Sequence, residues 1–246
     1  MALIHSFEAS GNMLFRYRGQ IPTVLFILAI PVLYFTDYTK IPYTLSLFLT
    51  VVAIILSVAG FIIRAYATGT TPKGTSGRNT KEQVAEILNV SGIYSVVRHP
   101  LYLGNYLMWA GIVAFTFNLY FFLLVSLAFW LYYERIMFAE ERFLERKFGN
   151  EYLEWSKKVP AFIPALTRFK KSTIPFSFKI ILKREYSGIV ATAFGFAFVD
   201  LLRMYFTQHI FEWQRISVYA VAVATVLSLV LRTLKHSSML NEEGRS

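Results

Sequence analysis

Long apolar runs separated by short charged stretches set the pattern of this chain. Ile21 to Thr36 is the first run and Tyr43 to Ile63 the second, ending at Arg64. Leu101 to Tyr133 is 33 residues without a charge. Ser187 to Phe206 and Ile216 to Leu231 follow. Crossing the hydrocarbon of a bilayer takes about 20 residues at about 1.5 Å each. Tyr43–Ile63 is the clearest span by that measure. Leu101–Tyr133 is too long for one crossing and short for two. It predicts a helical hairpin that turns at Asn118 and extends at its polar ends to His99 and Phe138. Pro31 inside the first run predicts a kinked helix, and Asp37 to Pro42 a turn. The pattern predicts an all-α, polytopic membrane protein of about six transmembrane helices, with both termini on one side.

The stretches between the runs carry the polar chemistry. Residues 67–91 are rich in Gly, Thr, Ser and Lys. Gly69 and Gly74 have phosphate-loop spacing, but Thr75 stands where that loop needs lysine, so a P-loop is excluded. Thr80-Lys81-Glu82-Gln83 reads as a capping box opening a short helix through Leu88. Asn89-Val90-Ser91 has the form of a glycosylation acceptor but falls on the side read as cytoplasmic. Residues 139–164 are charged with helical spacing. Arg168 to Arg184 is basic with interleaved Phe and Ile, which suits a segment lying among headgroups. The chain divides into an N-terminal segment with the first helix (1–42), a core (43–164), and a basic segment with two added helices (165–246). No small-residue cleavage site follows the first run, so it is read as a retained helix rather than a signal peptide.

Composition sharpens this picture. The 246 residues are 55% hydrophobic and 17% aromatic, more apolar than soluble domains. With no cysteine, thiolate catalysis, disulfides and iron–sulfur clusters are excluded. The four histidines (His5, His99, His209, His236) have no metal-ligand spacing, so no metal site is expected. The formal charge is +10. Under the predicted topology only Lys40, Arg203 and Arg215 of the 25 Lys and Arg fall on the far side. The positive-inside rule then makes the basic side, with both termini, cytoplasmic. Basic loops account for the charge without nucleic acid.

Two polar clusters face that side. One is Gly92-Ile93-Tyr94-Ser95-Val96-Val97-Arg98-His99-Pro100-Leu101-Tyr102-Leu103-Gly104, with Pro100 suited to a first helical turn. The other is Glu140-Glu141-Arg142-Phe143-Leu144, followed by Phe148-Gly149-Asn150-Glu151-Tyr152. The hairpin between them lets them meet at one membrane face. Arg98 suits a bidentate pair with a carboxylate, or equally a snorkelling headgroup contact. His99 suits a donor or base, or a bond to backbone at the helix start. Glu140 and Glu141 suit ribose hydroxyls, an amino group or a cation, or simply a solvated helix face. The rings of Tyr94, Tyr102 and Tyr152 suit a cation, or an interfacial belt.

Taken together, Gly92-x-Tyr94-x3-Arg98-His99-Pro100-x-Tyr102-x-Gly104 and Glu140-Glu141-x2-Leu144-x3-Phe148-Gly149-x2-Tyr152-x6-Val159-Pro160 resemble the isoprenylcysteine carboxyl methyltransferase family and related phospholipid methyltransferases. The likeness covers roughly residues 43–164. It implies a helical membrane enzyme that uses S-adenosylmethionine, with a cytoplasmic-face pocket. The matched cofactor-binding positions are Tyr94, Arg98, His99, Pro100, Tyr102, Gly104, Glu140 and Glu141. The catalytic positions implied are Arg98, Glu140 and Arg135. Arg135 stands one place off the substrate-contacting arginine of the eukaryotic enzymes. The helices after Arg184 are outside the pattern. Membrane sterol reductases share an Arg-x-Pro/Asn-Tyr-x-Gly element and use NADPH, but their later motif differs from Glu140-Glu141-Arg142-Phe143-Leu144. The expectation is methyl transfer to a lipid or lipidated acceptor reaching the site from the membrane beside the Leu101–Phe138 hairpin. An NADPH-dependent lipid reductase and a non-enzymatic scaffold of the same fold are the alternatives.

Overall fold

The computed structural model describes residues 2–72, 74 and 83–242. Every apolar run predicted from the sequence is a helix. They are α2 (Ile21–Phe35), α3 (Tyr43–Gly69), α4 (Pro100–Ala114), α5 (Leu119–Phe148), α7 (Phe178–Gln208) and α8 (Ile216–His236). An N-terminal helix α1 (Ala2–Tyr17) and a short α6 (Asn150–Ser156) complete the helices longer than one turn among the described residues. α3, α5, α7 and α8 are long and apolar enough to cross a membrane. α2 and α4 have 15 residues each, or about 22 Å at about 1.5 Å per residue, against a core about 30 Å thick. The fold is thus the expected helical membrane protein, with four full-length candidate spans and the shorter apolar helices α2 and α4 among the described residues.

Local chemistry sets several boundaries. Asn118 ends the turn after α4 and caps α5, its side chain accepting from the Phe121 amide at 2.9 Å. Pro100 opens α4 in the position where a missing amide hydrogen costs nothing. Ser177 caps α7 through the Ile180 amide.

Three boundaries differ from the sequence reading. α3 runs past Arg64 to Gly69, because the charge of Arg64 is met inside the protein and does not end the span. α7 starts at Phe178, so the basic Arg168–Arg184 stretch is not one interfacial segment. Its first part runs beside residues 91–95, with the Gly92 amide bonded to Lys170 O at 2.9 Å, and its last part is the first turns of α7. The short helix expected through Leu88 is absent from residues 83–88; the Thr80–Glu82 part of its capping box, Thr75 and the charges of Lys73, Arg78 and Lys81 lie outside the described residues.

α1 was not apparent from the apolar runs, because its pattern is amphipathic and its inward stripe rests on Phe7, Gly11, Leu14 and Phe15, of which only Gly11 and Phe15 are fully buried. It lies on α5. A Cβ on Gly11 would stand 2.1 Å from Arg135 O, so glycine is what allows the close approach. Phe15 then packs with Tyr102, Tyr133, Ile136 and Met137. α3 and α4 approach just as tightly through Gly60 and Gly104, where a Cβ on Gly60 would stand 2.5 Å from Gly104 O. A second apolar core joins Ala29 and Leu33 of α2, Ile112 and Val113 of α4, Phe121 and Val125 of α5 and Val199 of α7.

Candidate functional site

The two polar clusters meet because the chain after α6 returns along the segment before α4. The Arg98 amide donates to Pro160 O at 2.9 Å and the His99 amide to Ala161 O at 3.1 Å. The Ala165 amide donates to Val96 O, 2.9 Å away. The Arg98 guanidinium ties the same segment from its side chain. Nη1 reaches Ser156 O and Val159 O, both at 2.7 Å, while Nε donates to Glu141 Oε1 at 2.9 Å. Arg98 is therefore a clasp holding residues 156–161 and the last turns of α5 to the start of α4.

His99 is buried between the two glutamates. Its Nε2 lies 2.9 Å from Glu141 Oε1 and its Nδ1 3.6 Å from Glu140 Oε2. A carboxylate on each ring nitrogen suits the imidazolium, in which both nitrogens carry hydrogen. Burial by itself disfavours that charge, but the hydrogen bonds and charges of Glu140 and Glu141 outweigh it, and the pKa of His99 is raised above its ordinary value. Tyr102 stacks beside the ring, 5.8 Å between centroids, and donates its hydroxyl to Glu140 Oε1 at 2.6 Å. Arg18, from the end of α1, adds a second cation 3.9 Å from Glu140.

These groups wall a cavity of about 630 Å³, within the roughly 300–1,000 Å³ range of small-molecule sites. Tyr94, Arg98, His99, Pro100, Tyr102, Glu140 and Glu141 all line it. Gly104 does not; it packs against Arg64 Cγ and Gly60 O. Arg135 is also turned away, its guanidinium 3.3 Å above the ring of Phe7 on α1. Burial pushes the Tyr94 hydroxyl up to about 12, with the Glu140 charge adding to the effect, so it is a donor at neutral pH. The Tyr152 hydroxyl, on the same wall, is buried without a hydrogen-bond partner among the described residues.

The sequence reading passed over the polar group on the opposite wall. Arg64 of α3 forms a double bridge to Glu185 of α7, with distances of 2.8 and 2.9 Å, and donates to Asn105 of α4. Thr68 adds a bond to Glu185 at 3.0 Å. The signal was a carboxylate at the edge of an apolar run, which asks for a named cationic partner at similar depth. Arg184, Ser187 and Ala191 of α7 line the cavity as well, so a helix outside the matched motifs shapes it.

A helical membrane protein with one charged, aromatic-walled cavity among the described residues is the class defined so far. Residues 43–151 match the phospholipid methyltransferase family, and the core of the chain is isoprenylcysteine and phospholipid methyltransferase-like. Among curated relatives, a nickel-cobalt-cadmium resistance protein of Alcaligenes xylosoxydans xylosoxydans is 34% identical over 40% of this chain and 43% of its own. The protein-S-isoprenylcysteine O-methyltransferase of Schizosaccharomyces pombe is 34% identical over 35% of this chain and 37% of its own. That of Saccharomyces cerevisiae is 31% identical over 53% and 55%. The chain thus spans between 37% and 55% of the length of these relatives. No solved structure matches it.

Proposed function

We propose that this protein is an integral membrane methyltransferase that transfers a methyl group from S-adenosylmethionine to a lipid-borne acceptor. The observation that carries the reading is the joining of Arg98, His99, Glu140 and Glu141 on one wall of a cavity large enough for such a cofactor. The residues present fit it. Glu140 offers a carboxylate to a cationic group, Tyr102 and Tyr133 offer ring faces, and the unpartnered Tyr152 hydroxyl and protonated Tyr94 offer hydrogen bonds. The methyl donor, when bound, supplies an electrophilic methyl on a sulfonium.

The chain's own task is then placement and exclusion of water. In-line displacement needs the reacting atoms held about 3–3.5 Å apart with aligned orbitals. Arg98 acts by holding the wall in place rather than by offering a free guanidinium to the ligand. The carboxylates at both ring nitrogens of His99 favour the imidazolium and raise its pKa, which suits it to positioning Glu140 and Glu141 rather than to acting as the base. That favours an acceptor needing no deprotonation near neutral pH, a carboxylate like that of a prenylated cysteine, which the named relatives suggest. An amine acceptor would rely on Glu140. The distribution of Lys and Arg favours a cytoplasmic site and cytoplasmic termini.

Calorimetry on the detergent-solubilised chain tests the cofactor. Binding of S-adenosylmethionine and S-adenosylhomocysteine, with none of NADPH, is expected. The reverse result makes the chain a reductase, and binding of neither makes it a scaffold. Tritiated methyl transfer to native lipid extract then identifies the acceptor.

A further inference from the structure

The cavity continues away from the charged cluster into the apolar part of the bundle. Its far end is formed by Phe26 of α2 and Trp109 of α4, whose rings meet edge to face with centroids 5.6 Å apart. Trp109 stands about 13 Å along α4 from Pro100, at about 1.5 Å per residue. The same two residues line a void of about 10 Å³ on their other side, so they are a partition rather than the edge of solid core. On the helices, the cavity-lining positions that are exposed are Thr23 of α2 with Ser187 and Ala191 of α7. Further along, Phe26 closes the seam between α2 and α7 against Phe194 and Phe198, at 5.8 and 5.1 Å. The seam is open above those rings and shut at them. The hairpin side, where the sequence reading put access, contributes no exposed lining residue from α4 or α5.

We propose that the cavity opens to the bilayer between α2 and α7, and that the hydrocarbon chain of the acceptor lies in this arm with its end against Phe26 and Trp109, which set the chain length accepted. The proposal rests on the methyltransferase reading above and adds the shape of its second substrate. Two features identify the occupant as a hydrocarbon chain. The opening lies on α2 and α7, whose outward positions carry exposed Val24, Ile27, Leu28, Ile189 and Phe194, a surface that suits lipid rather than water. The end of the arm is lined by Phe26, Trp109 and the methyl of Ala191, none of them charged. Ala191 is the position where a small side chain keeps the arm open. Glu185, two turns earlier on α7 and fixed to Arg64, holds that wall at its distance from α4.

The test uses N-acetylcysteine carrying S-geranyl, S-farnesyl or S-geranylgeranyl chains, with the full chain in detergent. Binding is read by native mass spectrometry, independently of turnover, and kcat/KM by tritiated methyl transfer. Ala191→Phe should shift preference toward the shorter chain and Trp109→Ala toward the longer, each changing the ratio between neighbouring members about tenfold or more, since one methylene in an apolar pocket is worth about 10–200-fold. The two variants act in opposite directions, so a loss of folding in one leaves the other to decide. Unmoved ratios in a variant that still binds S-adenosylhomocysteine overturn the proposal, as does absence of binding of all three probes to the unmodified chain. Shifted binding without methyl transfer in any form upholds the arm and removes the methyltransferase reading. Methyl transfer with an unmoved chain preference does the opposite.

Discussion

Arg64 and Glu185 meet in a two-pronged bridge, Nε to Oε2 at 2.8 Å and Nη2 to Oε1 at 2.9 Å. The pair joins α3, inside the family-matched core, to α7, outside it. Glu185 is only 3% exposed, so either charge left alone would be buried without its partner. Glu185→Ala should lower stability by about 3–5 kcal/mol, the usual cost of breaking a buried pair from one side. The double change Arg64→Met with Glu185→Leu should recover most of the loss, because it removes both desolvated charges. Thermal denaturation in detergent measures both. A Glu185→Ala protein as stable as the parent would mean that the pair does not hold α7.

His99 gives a pH dependence whose sign follows from its surroundings. Its folded pKa is raised because the glutamates outweigh the effect of burial. The stability it contributes is fully present below the unfolded value of about 6.5. It is lost as pH rises through the raised folded value. The advantage of the parent over His99→Asn should therefore shrink as pH climbs above the ordinary histidine range. In imidazole NMR spectra, the signal missing from His99→Asn should titrate above the ordinary value. Titration at or below about 6.5 would show that Glu140 and Glu141 do not hold the proton.

Much of this arrangement was legible in the sequence. Arg98, His99, Glu140 and Glu141 could be placed together because the uncharged hairpin between them has room to turn only near Asn118. Asn118 does cap α5. What was hidden depends on tertiary partners. The partner of Arg64 is 121 positions along the chain, so its charge looked like the end of a span. The clasp made by Arg98 uses backbone carbonyls of residues 156 and 159, which no side-chain motif reveals. Arg135 had spacing that suggested a substrate contact, but α1 lies across it, and α1 carries too few apolar positions to stand out as a run.

Gly104 belongs to the motif yet serves packing. A Cβ there would stand 2.5 Å from Arg64 Cγ and 2.8 Å from Gly60 O. The second of these is backbone and cannot yield without moving α3. Gly104→Val should cost about 1–3 kcal/mol or more through overpacking and should disturb the Arg64 bridge beside it. Gly19→Val, where a Cβ meets nothing within 4 Å, is the matched control for a tolerated glycine. Equal melting temperatures for the two variants would remove the packing role.

Arg98 and Glu140 separate the structural half of the charged cluster from the ligand-facing half. Arg98 makes three charge-assisted bonds to the chain itself, one to Glu141 and two to carbonyls. Each such bond is worth about 1.5–3 kcal/mol, so Arg98→Ala should unfold the 156–161 connection and lower the melting temperature along with any ligand affinity. Arg98→Lys should not restore it, because an ammonium cannot reproduce the fork of the guanidinium. Glu140 differs. Its oxygens face Tyr102, Arg18 and His99 on the cavity wall. Glu140→Gln keeps an acceptor for the Tyr102 hydroxyl but removes the negative charge that a cationic methyl donor would meet. Its melting temperature should fall less than that of Arg98→Ala, because only the charge beside His99 and Arg18 is lost and no backbone clasp is broken, while affinity for S-adenosylmethionine falls about tenfold to a hundredfold, the equivalent of one charge-assisted bond. Affinity for S-adenosylhomocysteine, a zwitterion with no net charge, should fall less, because that ligand lacks the sulfonium. Paired calorimetry and denaturation on the two variants decide the matter. If Glu140→Gln weakens both ligands equally, the carboxylate does not face the sulfonium. If Arg98→Ala melts like the parent, the clasp is not structural.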